Sequence, residues 1–372
     1  MTPIILSVVW YKILPAQFGG QKGIANFNQS LGRKYPLVCL CSKDNEPPGG
    51  LTYKVLAELP STKRQFFDPI CLRKIKSAAK KENATHIILE HPYHGIAAIK
   101  ASRVTGAKLI VHSHNIESER YKQLGKWWWR ILYRYEKWVH RHADLNLFKT
   151  ENEMNYAITH FKLDPGKCMV IPYGIDVTGK TGKSNARLLI NERHSISPNS
   201  KILLFAGTLD YEPNAKAVEN IYKEIAPRLT TTGLDFKIII CGRNRFPAFQ
   251  YLKKLAHPAV ILAGETDDIE PYFLASDVFI NPVQTGGGIQ TKNIDALGHN
   301  LNVVCFNNML SGIDAGLTAG KIFPSPQNDW TGFIDTINKA LQAAPVAISP
   351  AFFTHYSFDT QAEKLAARLN SL

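Results

Sequence analysis

Several features that mark particular classes of protein are missing from this sequence. Its six cysteines are scattered through 372 residues without a C-x-x-C pair, which favours buried free thiols in a reducing cytoplasm over disulfides. No apolar run reaches the roughly 18 residues that a membrane span needs. The N-terminal MTPIILSVVWYK has no charged n-region, so it reads as a first strand and not as a signal peptide. We therefore expect a folded cytoplasmic protein, either soluble or peripheral on the inner face of the plasma membrane.

Acidic residues are outnumbered by basic ones, 31 to 44, which gives a formal net charge of +13. Nucleic acid, an anionic membrane and an anionic small substrate would each suit such a charge. The sequence contains no zinc finger, no aromatic RNA-binding signature and no basic helical arm. Nucleic acid is therefore not an expected partner, and a membrane surface or an anionic substrate remains.

The organisation is that of two similar halves, in which short apolar runs alternate with helical patterns. Apolar runs between polar helices indicate parallel sheets covered on both faces. The predicted strands are Ile4–Trp10, Leu37–Cys41, His86–Leu89, Lys108–His112 and Leu145–Phe148, then Ile202–Ala206, Phe236–Cys241, Val260–Ala263, Val278–Ile280 and Val303–Cys305. The clearest predicted helices are Ile24–Leu31, Asp68–Glu82, Trp127–His142, Asn214–Leu229, Ile269–Ala275, Gly288–Leu297 and Asp359–Leu369.

A chain of this length exceeds the usual limit for a single core. We predict an α/β fold of two doubly wound, Rossmann-like domains that face each other across a cleft. The first covers residues 1–175 and the second residues 176–350. Residues 351–372 form a C-terminal helix that packs back on the first domain. The irregular segment Pro172–Asn199 is the predicted junction.

The most informative segment is VFINPVQTGGGIQTKNIDALG, residues 278–298. A strand, a glycine loop and a helix start follow one another, so free N–H groups and the helix dipole point at an anion. The glycines, among them Gly287 and Gly288, and the helical pattern that begins with Ile289 form this cradle, Lys292 adds charge, and Asp295 can accept hydrogen bonds from a ribose diol. The alternative is a glycine-rich turn between ordinary core elements.

Other candidate donor contacts also lie at strand ends, where doubly wound folds bind ligands. Gly19 and Gly20 follow the first strand, and Gly207 and Thr208 end the first strand of the second half. Arg243 follows the next strand and can bind phosphate. Tight turns and solvated loop cations are the alternatives for these residues.

Histidines cluster after two strands of the first half. His112 and His114 are two positions apart and can converge on one face, and an imidazole there can act on a sugar hydroxyl or a developing charge. Glu90, His91 and His94 follow the preceding strand, where Glu90 could hold a substrate hydroxyl or pair with a cation. A metal is not expected, because no third ligand is evident beside the histidine pair and no spacing matches a zinc pattern.

The segment KWWWRILYRYEKW, residues 126–138, is both basic and aromatic at helical spacing. One face of such a helix suits an anionic membrane interface. The alternative is a core helix whose indoles pack against the first sheet.

Taken in order, these motifs resemble those of the retaining glycosyltransferases of family four, which have the GT-B fold. The resemblance covers nearly the whole chain. It rests on FGGQKGIANF, HNIESE, YEKWVHRHADLNLFKT, VIPYGID, LLFAGTLDYEPNAKAV, IIICGR and FLASDVFINPVQTGGGIQTKNIDALG.

The resemblance implies a metal-independent transferase that uses a nucleotide diphosphate sugar as donor substrate and needs no cofactor. Asp295 matches the glutamate that holds the ribose, and His114 matches the histidine near the transferred sugar. Gly287 replaces the family's other glutamate, while Thr208 and Pro213 stand where an arginine and a lysine are usual. Lys292 and Arg243 are the candidates to replace those cations. Arg243 follows the second predicted strand of the second half.

The expected function is transfer of a hexose to a saccharide or lipid-linked acceptor, in the synthesis of cell-surface polysaccharide. Two alternatives remain open at this point. One is a catalytically degenerate, membrane-associated scaffold protein, and the other is a nucleotide-sugar epimerase or hydrolase on the same fold.

Overall fold

A computed structural model describes residues 2–16, 19–61, 68–175, 182–285 and 289–372. The chain divides into two compact units, which are described separately. Within the described ranges, unit 1 holds residues 2–175, 289 and 355–372, and unit 2 holds residues 182–285 and 290–354.

Unit 1 is built on a seven-stranded, wholly parallel sheet with the strand order β3-β2-β1-β4-β5-β6-β7. The strands are β1 Ile5–Val9, β2 Leu37–Ser42, β3 Lys54–Leu59, β4 His86–Glu90, β5 Lys108–His112, β6 Leu145–Phe148 and β7 Cys168–Val170. The helices are α1 Gly19–Gly32, α2 Pro69–Lys81, α3 Gly95–Thr105, α4 Glu117–Gln123, α5 Trp129–Arg141 and α6 Glu151–Tyr156, after which a π-helical turn covers Ala157–Phe161.

Unit 2 is built on a six-stranded parallel sheet with the order β10-β9-β8-β11-β12-β13. The strands are β8 Lys201–Ala206, β9 Phe236–Cys241, β10 Val260–Gly264, β11 Val278–Asn281, β12 Asn302–Phe306 and β13 Ile322–Ser325. The helices are α7 Lys183–His194, α8 Glu212–Asn220, α9 Ala226–Thr230, α10 Glu270–Ala275, α11 Thr291–Gly298, α12 Trp330–Gln342 and α13 Pro350–Tyr356.

The last helix, α14 (Phe358–Leu369), belongs to unit 1. Ser357 caps it by accepting N–H bonds from the first turn. Its apolar face, which includes Leu365, joins the core that α1 and the sheet form. Arg33 at the end of α1 pairs with Asp359 at 2.8 Å, so α14 is held to α1 by both apolar and charged contacts.

The two parallel α/β sheets predicted from the sequence are confirmed. The prediction was possible because the central strands are buried on both faces and are therefore continuously apolar. The strands β3, β7 and β13 were not predicted. Each lies at an edge of its sheet and is only partly buried, so its apolar signal is weak.

Two other boundaries differ from prediction. The junction segment, expected to be irregular, contains α7, whose last turn is capped by Ser195 in the left-handed conformation. The helix predicted from Gly288 begins at Thr291, and Gly288 itself lies outside the described residues. All six cysteines are free thiols, five of them buried.

Candidate functional site

In unit 2, a buried lysine lies at the carboxyl end of β8. Lys292, in the first turn of α11, places Nζ 2.5 Å from Oδ1 of Asn214 and 4.9 Å from the centre of the Phe205 ring. Burial lowers the pKa of Lys292 to about 7. Within the described ranges no carboxylate pairs with it. An ammonium group held only by an amide oxygen and an aromatic face is poised to receive an anion.

Two glycines make room for this lysine. A Cβ atom on Gly207 would lie 2.9 Å from Nδ2 of Asn214 and 3.2 Å from Nζ of Lys292. Gly242 has a φ of +157°, and a Cβ atom there would lie 1.8 Å from the carbonyl oxygen of Gly207. Backbone can approach this closely only without side chains. The carbonyl of Thr208 accepts the Asn214 amide at 2.9 Å, so its backbone helps to orient the lysine's partner.

Arg243 is positioned differently from Lys292. Its Nε donates to Oδ2 of Asp210 at 3.1 Å. The other oxygen of Asp210 accepts the backbone N–H groups of Arg245 and Phe246, at 2.8 and 2.7 Å. Arg243 therefore already has a carboxylate partner in a loop-forming network. Of the two cations that the sequence offered as diphosphate ligands, Lys292 is the one without a counter-charge.

The remaining predicted residues of this loop lie on or before α11. Ile289 is partly buried just ahead of the helix, and Asp295 is partly buried in its second turn. Gly287 and Gly288 lie outside the described residues. Buried Asn281 at the end of β11 donates to Asn293 at 2.9 Å, which ties α11 to the sheet.

Sequence reasoning did not single out Asn214 or the asparagine pair that holds α11. In the sequence these asparagines are only polar residues near a strand end or inside a helix. Such residues are common in proteins, so their positions alone do not mark a site. Asn214 follows Pro213, the residue that occupies the family's lysine position.

In unit 1, one carboxylate holds two histidines. Glu90 ends β4, and the parallel register places it opposite His112 at the end of β5. Nδ1 of His112 lies 3.0 Å from Oε2 of Glu90, and Nε2 of His114 lies 2.6 Å from the same oxygen. One sequence interpretation had Glu90 holding a substrate hydroxyl. The side chain of Glu90 is fully buried, so a substrate hydroxyl does not reach it in this structure.

The two histidines converge as the sequence suggested, with ring centres 4.4 Å apart. Burial holds the pKa of His112 and of His114 well below the usual value. The reason given against a metal, the lack of a third ligand, is wrong: Glu90, His112 and His114 bring their potential ligand atoms within 4.8 Å of one another. The same contacts are of hydrogen-bond length.

A second carboxylate supports the neighbouring histidine. His91 stacks on His114 with ring centres 4.5 Å apart, and its Nδ1 lies 3.2 Å from Oε1 of Glu117. Tyr93 and Arg120 donate to the other oxygen of Glu117, at 2.7 and 2.9 Å. Burial by itself raises the pKa of Glu117, but these partners outweigh it and lower the value to about 2. His91 is thereby locked against His114.

The amide groups at the start of α4 are also satisfied by a buried acid. Glu136 of α5 accepts the N–H groups of Glu117 and Ser118, at 2.8 and 2.9 Å. Burial raises the pKa of Glu136 to about 8. This contact fixes the loop that follows His114.

Further residues stand near the histidines or at the first glycine loop. Lys149, at the end of β6, is 6 % exposed, and burial lowers its pKa to about 8 while Glu90 and Glu153 favour its charged form. The sequence analysis did not predict Lys149.

The glycines of the first predicted loop lie in a helix. Gly19 and Gly20 form the first turn of α1, where Gly19 is partly buried and Gly20 is exposed.

Helix α5 and the residues just before it carry basic and aromatic side chains of mixed exposure: Trp128 and Trp129 are partly buried, and other side chains face solvent. Trp127 is 82 % exposed, Ile131 64 % and Trp138 38 %. Within the described chain, exposed Arg134 and Arg141 pair with no acid. A surface depression of about 370 Å³ is lined by Arg134, Lys137, Trp138, Arg141 and His142. None of the helices described is long and apolar enough to cross a membrane.

Two family models match the chain on different halves. Residues 19–178 match Glycosyltransferase Family 4, and residues 200–343 match Glycosyl transferases group 1. Curated protein sequences contain no significant match.

Solved structures match the chain over its full length, although at low identity. A glycosyltransferase from Rickettsia africae has a TM-score of 0.74 at 15 % identity, covering 100 % of this chain and 98 % of its own. Anabaena HepE in complex with UDP and glucose has a TM-score of 0.74 at 14 % identity, covering 99 % of each chain. Sucrose-phosphate synthase from Thermosynechococcus elongatus has a TM-score of 0.75 at 14 % identity, covering 99 % and 98 %.

The fold likeness and the family matches on both halves agree with the ordered motifs. The chain is a GT-B glycosyltransferase of the family-four type.

Proposed function

We propose that this glycosyltransferase moves a hexose, with retention of anomeric configuration and without a metal, from a nucleotide diphosphate sugar to a saccharide or lipid-linked acceptor. Transfer to a saccharide or lipid-linked acceptor is a reaction of cell-surface polysaccharide synthesis, and we propose that process for this protein. The observation that carries the proposal is Lys292, a buried ammonium group that pairs with no carboxylate of the described residues, at a glycine-lined strand end. UDP and UDP-glucose complexes of HepE lend support to a donor of this class.

In the proposed mechanism, Lys292 and the N–H groups around Gly207 and Ile289 hold the diphosphate, and Asp295 holds the ribose. The family resemblance assigns further backbone contacts with the donor to Gly19, Gly20, Gly287 and Gly288. The acceptor hydroxyl attacks the face that the diphosphate leaves, and the leaving phosphate takes its proton. His114 contacts the transferred sugar. Arg243 binds Asp210 and so helps to hold the loop of residues 243–246 in place beside the donor.

The first test is calorimetric titration with UDP, GDP, ADP and TDP, without metal and then with magnesium. Tight binding of one nucleotide without metal supports the proposal and identifies the donor class. No binding by the folded protein favours a scaffold role. With the donor known, NMR of the product gives the anomeric configuration, and turnover without acceptor indicates an epimerase or hydrolase.

Asp295→Ala tests the ribose assignment. We expect donor binding to weaken by about 1.5–3 kcal/mol, the usual value for hydrogen bonds to a charged group. The measurement is calorimetric titration with the nucleotide diphosphate that binds the unaltered protein. Asp267→Ala, which removes an exposed acid elsewhere in unit 2, is the control. Equal affinity in the two variants would sink the assignment.

We further propose that α5 docks on an anionic bilayer. Arg134 and Arg141 pair with no acid in the part of the chain that the structure describes, and the exposed indole of Trp138 beside them suits the interface. Arg134→Glu with Arg141→Glu should weaken binding to vesicles with 30 % phosphatidylglycerol by at least about 30-fold, since each basic residue near such a surface contributes about 1 kcal/mol. Vesicle co-sedimentation is the measurement.

The matched control is Lys253→Glu with Lys254→Glu, which changes net charge equally at two exposed lysines of unit 2. It should bind almost as the unaltered protein does. If both double variants lose binding equally, the attraction is general and α5 is not the docking surface.

A further inference from the structure

One carboxylate receives two imidazole rings in unit 1, and this decides where their protons lie. The Glu90 side chain is wholly buried at the end of β4. Its oxygens face Nδ1 of His112 at 3.0 and 3.2 Å and Nε2 of His114 at 2.6 Å. An ionised carboxylate can only accept hydrogen bonds. With both rings donating to Glu90, each ring nitrogen that faces it carries the proton.

Each ring has one such proton to give. Burial favours the neutral imidazole at both positions, and a neutral ring has a single N–H group. His112 is thus the Nδ1–H tautomer, and its buried Nε2 has no hydrogen-bond partner in the described chain. His114 is the opposite tautomer, with the proton on Nε2 and a lone pair on Nδ1.

The neighbours hold this arrangement in place. His91 stacks on the His114 ring, and Glu117 fixes His91 in turn. Phe27 packs against His112 with ring centres 5.3 Å apart. Rotation of either ring would take its N–H group away from Glu90 and leave the buried carboxylate with one donor fewer, which is costly.

We propose that Glu90 is a positioning residue that fixes His114 as the Nε2–H tautomer, so that His114 offers the transferred sugar a hydrogen-bond acceptor, Nδ1, and not a donor. This rests on the proposed contact between His114 and the sugar. A sugar hydroxyl must then donate to His114. Fluorine cannot donate a hydrogen bond. A donor substrate in which fluorine replaces the hydroxyl that contacts His114 will therefore be a poor substrate.

The tautomer can be read without any activity assay. In protein labelled with ¹⁵N-histidine, long-range ¹H–¹⁵N correlation separates the two neutral tautomers and the imidazolium. His114→Gln identifies the His114 signals among the 12 histidines. The expected result is the Nε2–H pattern for His114 and the Nδ1–H pattern for His112. An Nδ1–H or imidazolium pattern for His114 overturns the inference, as does stoichiometric zinc in the purified protein.

Variants then test the role of Glu90. In Glu90→Gln the amide can accept from one ring but must donate to the other, so one histidine should change its pattern. Turnover should fall about 10-fold or more, since a misplaced histidine proton is costly in catalysis, while nucleotide affinity stays within about 3-fold. Glu90→Asp, which keeps the carboxylate, should recover part of the turnover.

Glu153→Gln is the matched control for the NMR experiment, because, like Glu90→Gln, it removes a carboxylate that acts on Lys149. His114 should keep its Nε2–H pattern in this variant. Unchanged patterns and turnover in a folded Glu90→Gln protein overturn the positioning role. A protein with the expected patterns but without any transferase activity contradicts only the proposed function.

Discussion

Replacing Lys292 with methionine should weaken binding of the nucleotide-sugar donor by about 10- to 150-fold. The loss corresponds to the 1.5–3 kcal/mol typical of hydrogen bonds to a charged group. Without its ligand the ammonium is buried beside the Asn214 amide and the Phe205 ring, with no carboxylate partner among the described residues. Burial of an unpaired charge destabilises the folded state, so the same variant should melt at a higher temperature than the unaltered protein. Calorimetric titration and thermal unfolding measure the two effects.

Affinity should also depend on pH. The free protein loses the Lys292 proton as pH rises through about 7, so its dissociation constant should be flat below that pH and increase above it. A nucleotide sugar is the right probe, because its diphosphate diester does not titrate in this range. In Lys292→Met the pH dependence should disappear.

Lys216→Met is the matched control. It removes the same charge from exposed α8, where Lys216 pairs with Glu219. Donor affinity should stay within about 2-fold, as expected for a surface ion pair. If Lys292→Met binds the donor normally, Lys292 is not the diphosphate ligand, and Arg243 becomes the residue to test.

Replacing His114 with alanine should lower turnover about 100-fold while nucleotide affinity changes little. A group that acts on the sugar in the transition state affects kcat more than binding of the nucleotide. Steady-state kinetics with the identified donor, together with nucleotide titration, separate the two quantities. Normal turnover in a folded variant would make His114 a structural residue.

His114→Ala also leaves Glu90 with one donor fewer. His114→Gln retains an N–H group toward that carboxylate, so it separates loss of stability from loss of catalysis. His160→Ala, an exposed histidine of the same unit, controls for the substitution itself. Both His114 variants should be slow, and only the alanine variant should show a clearly lowered melting temperature.

The amino-acid sequence by itself determined the two parallel sheets, because strands buried on both faces must be continuously apolar. It also placed the candidate ligand residues at strand ends, where glycines such as Gly207 and polar residues such as His114 interrupt the apolar runs. Edge strands such as β3 escaped notice, since partial burial relaxes that requirement. Local sequence likewise could not show that Trp138 of α5 is exposed while Trp129 is partly buried, because helical spacing alone does not say which face is covered.

Only the tertiary structure decided which polar residues meet. The choice between Lys292 and Arg243 depended on their partners, an amide in one case and the carboxylate of Asp210 in the other. Glu90 and His114 are 24 positions apart, and only the register of β4 against β5 brings a carboxylate beneath the histidine pair. Burial and pairing are properties of the folded neighbourhood, and they set the charge and the tautomer on which the proposed chemistry depends.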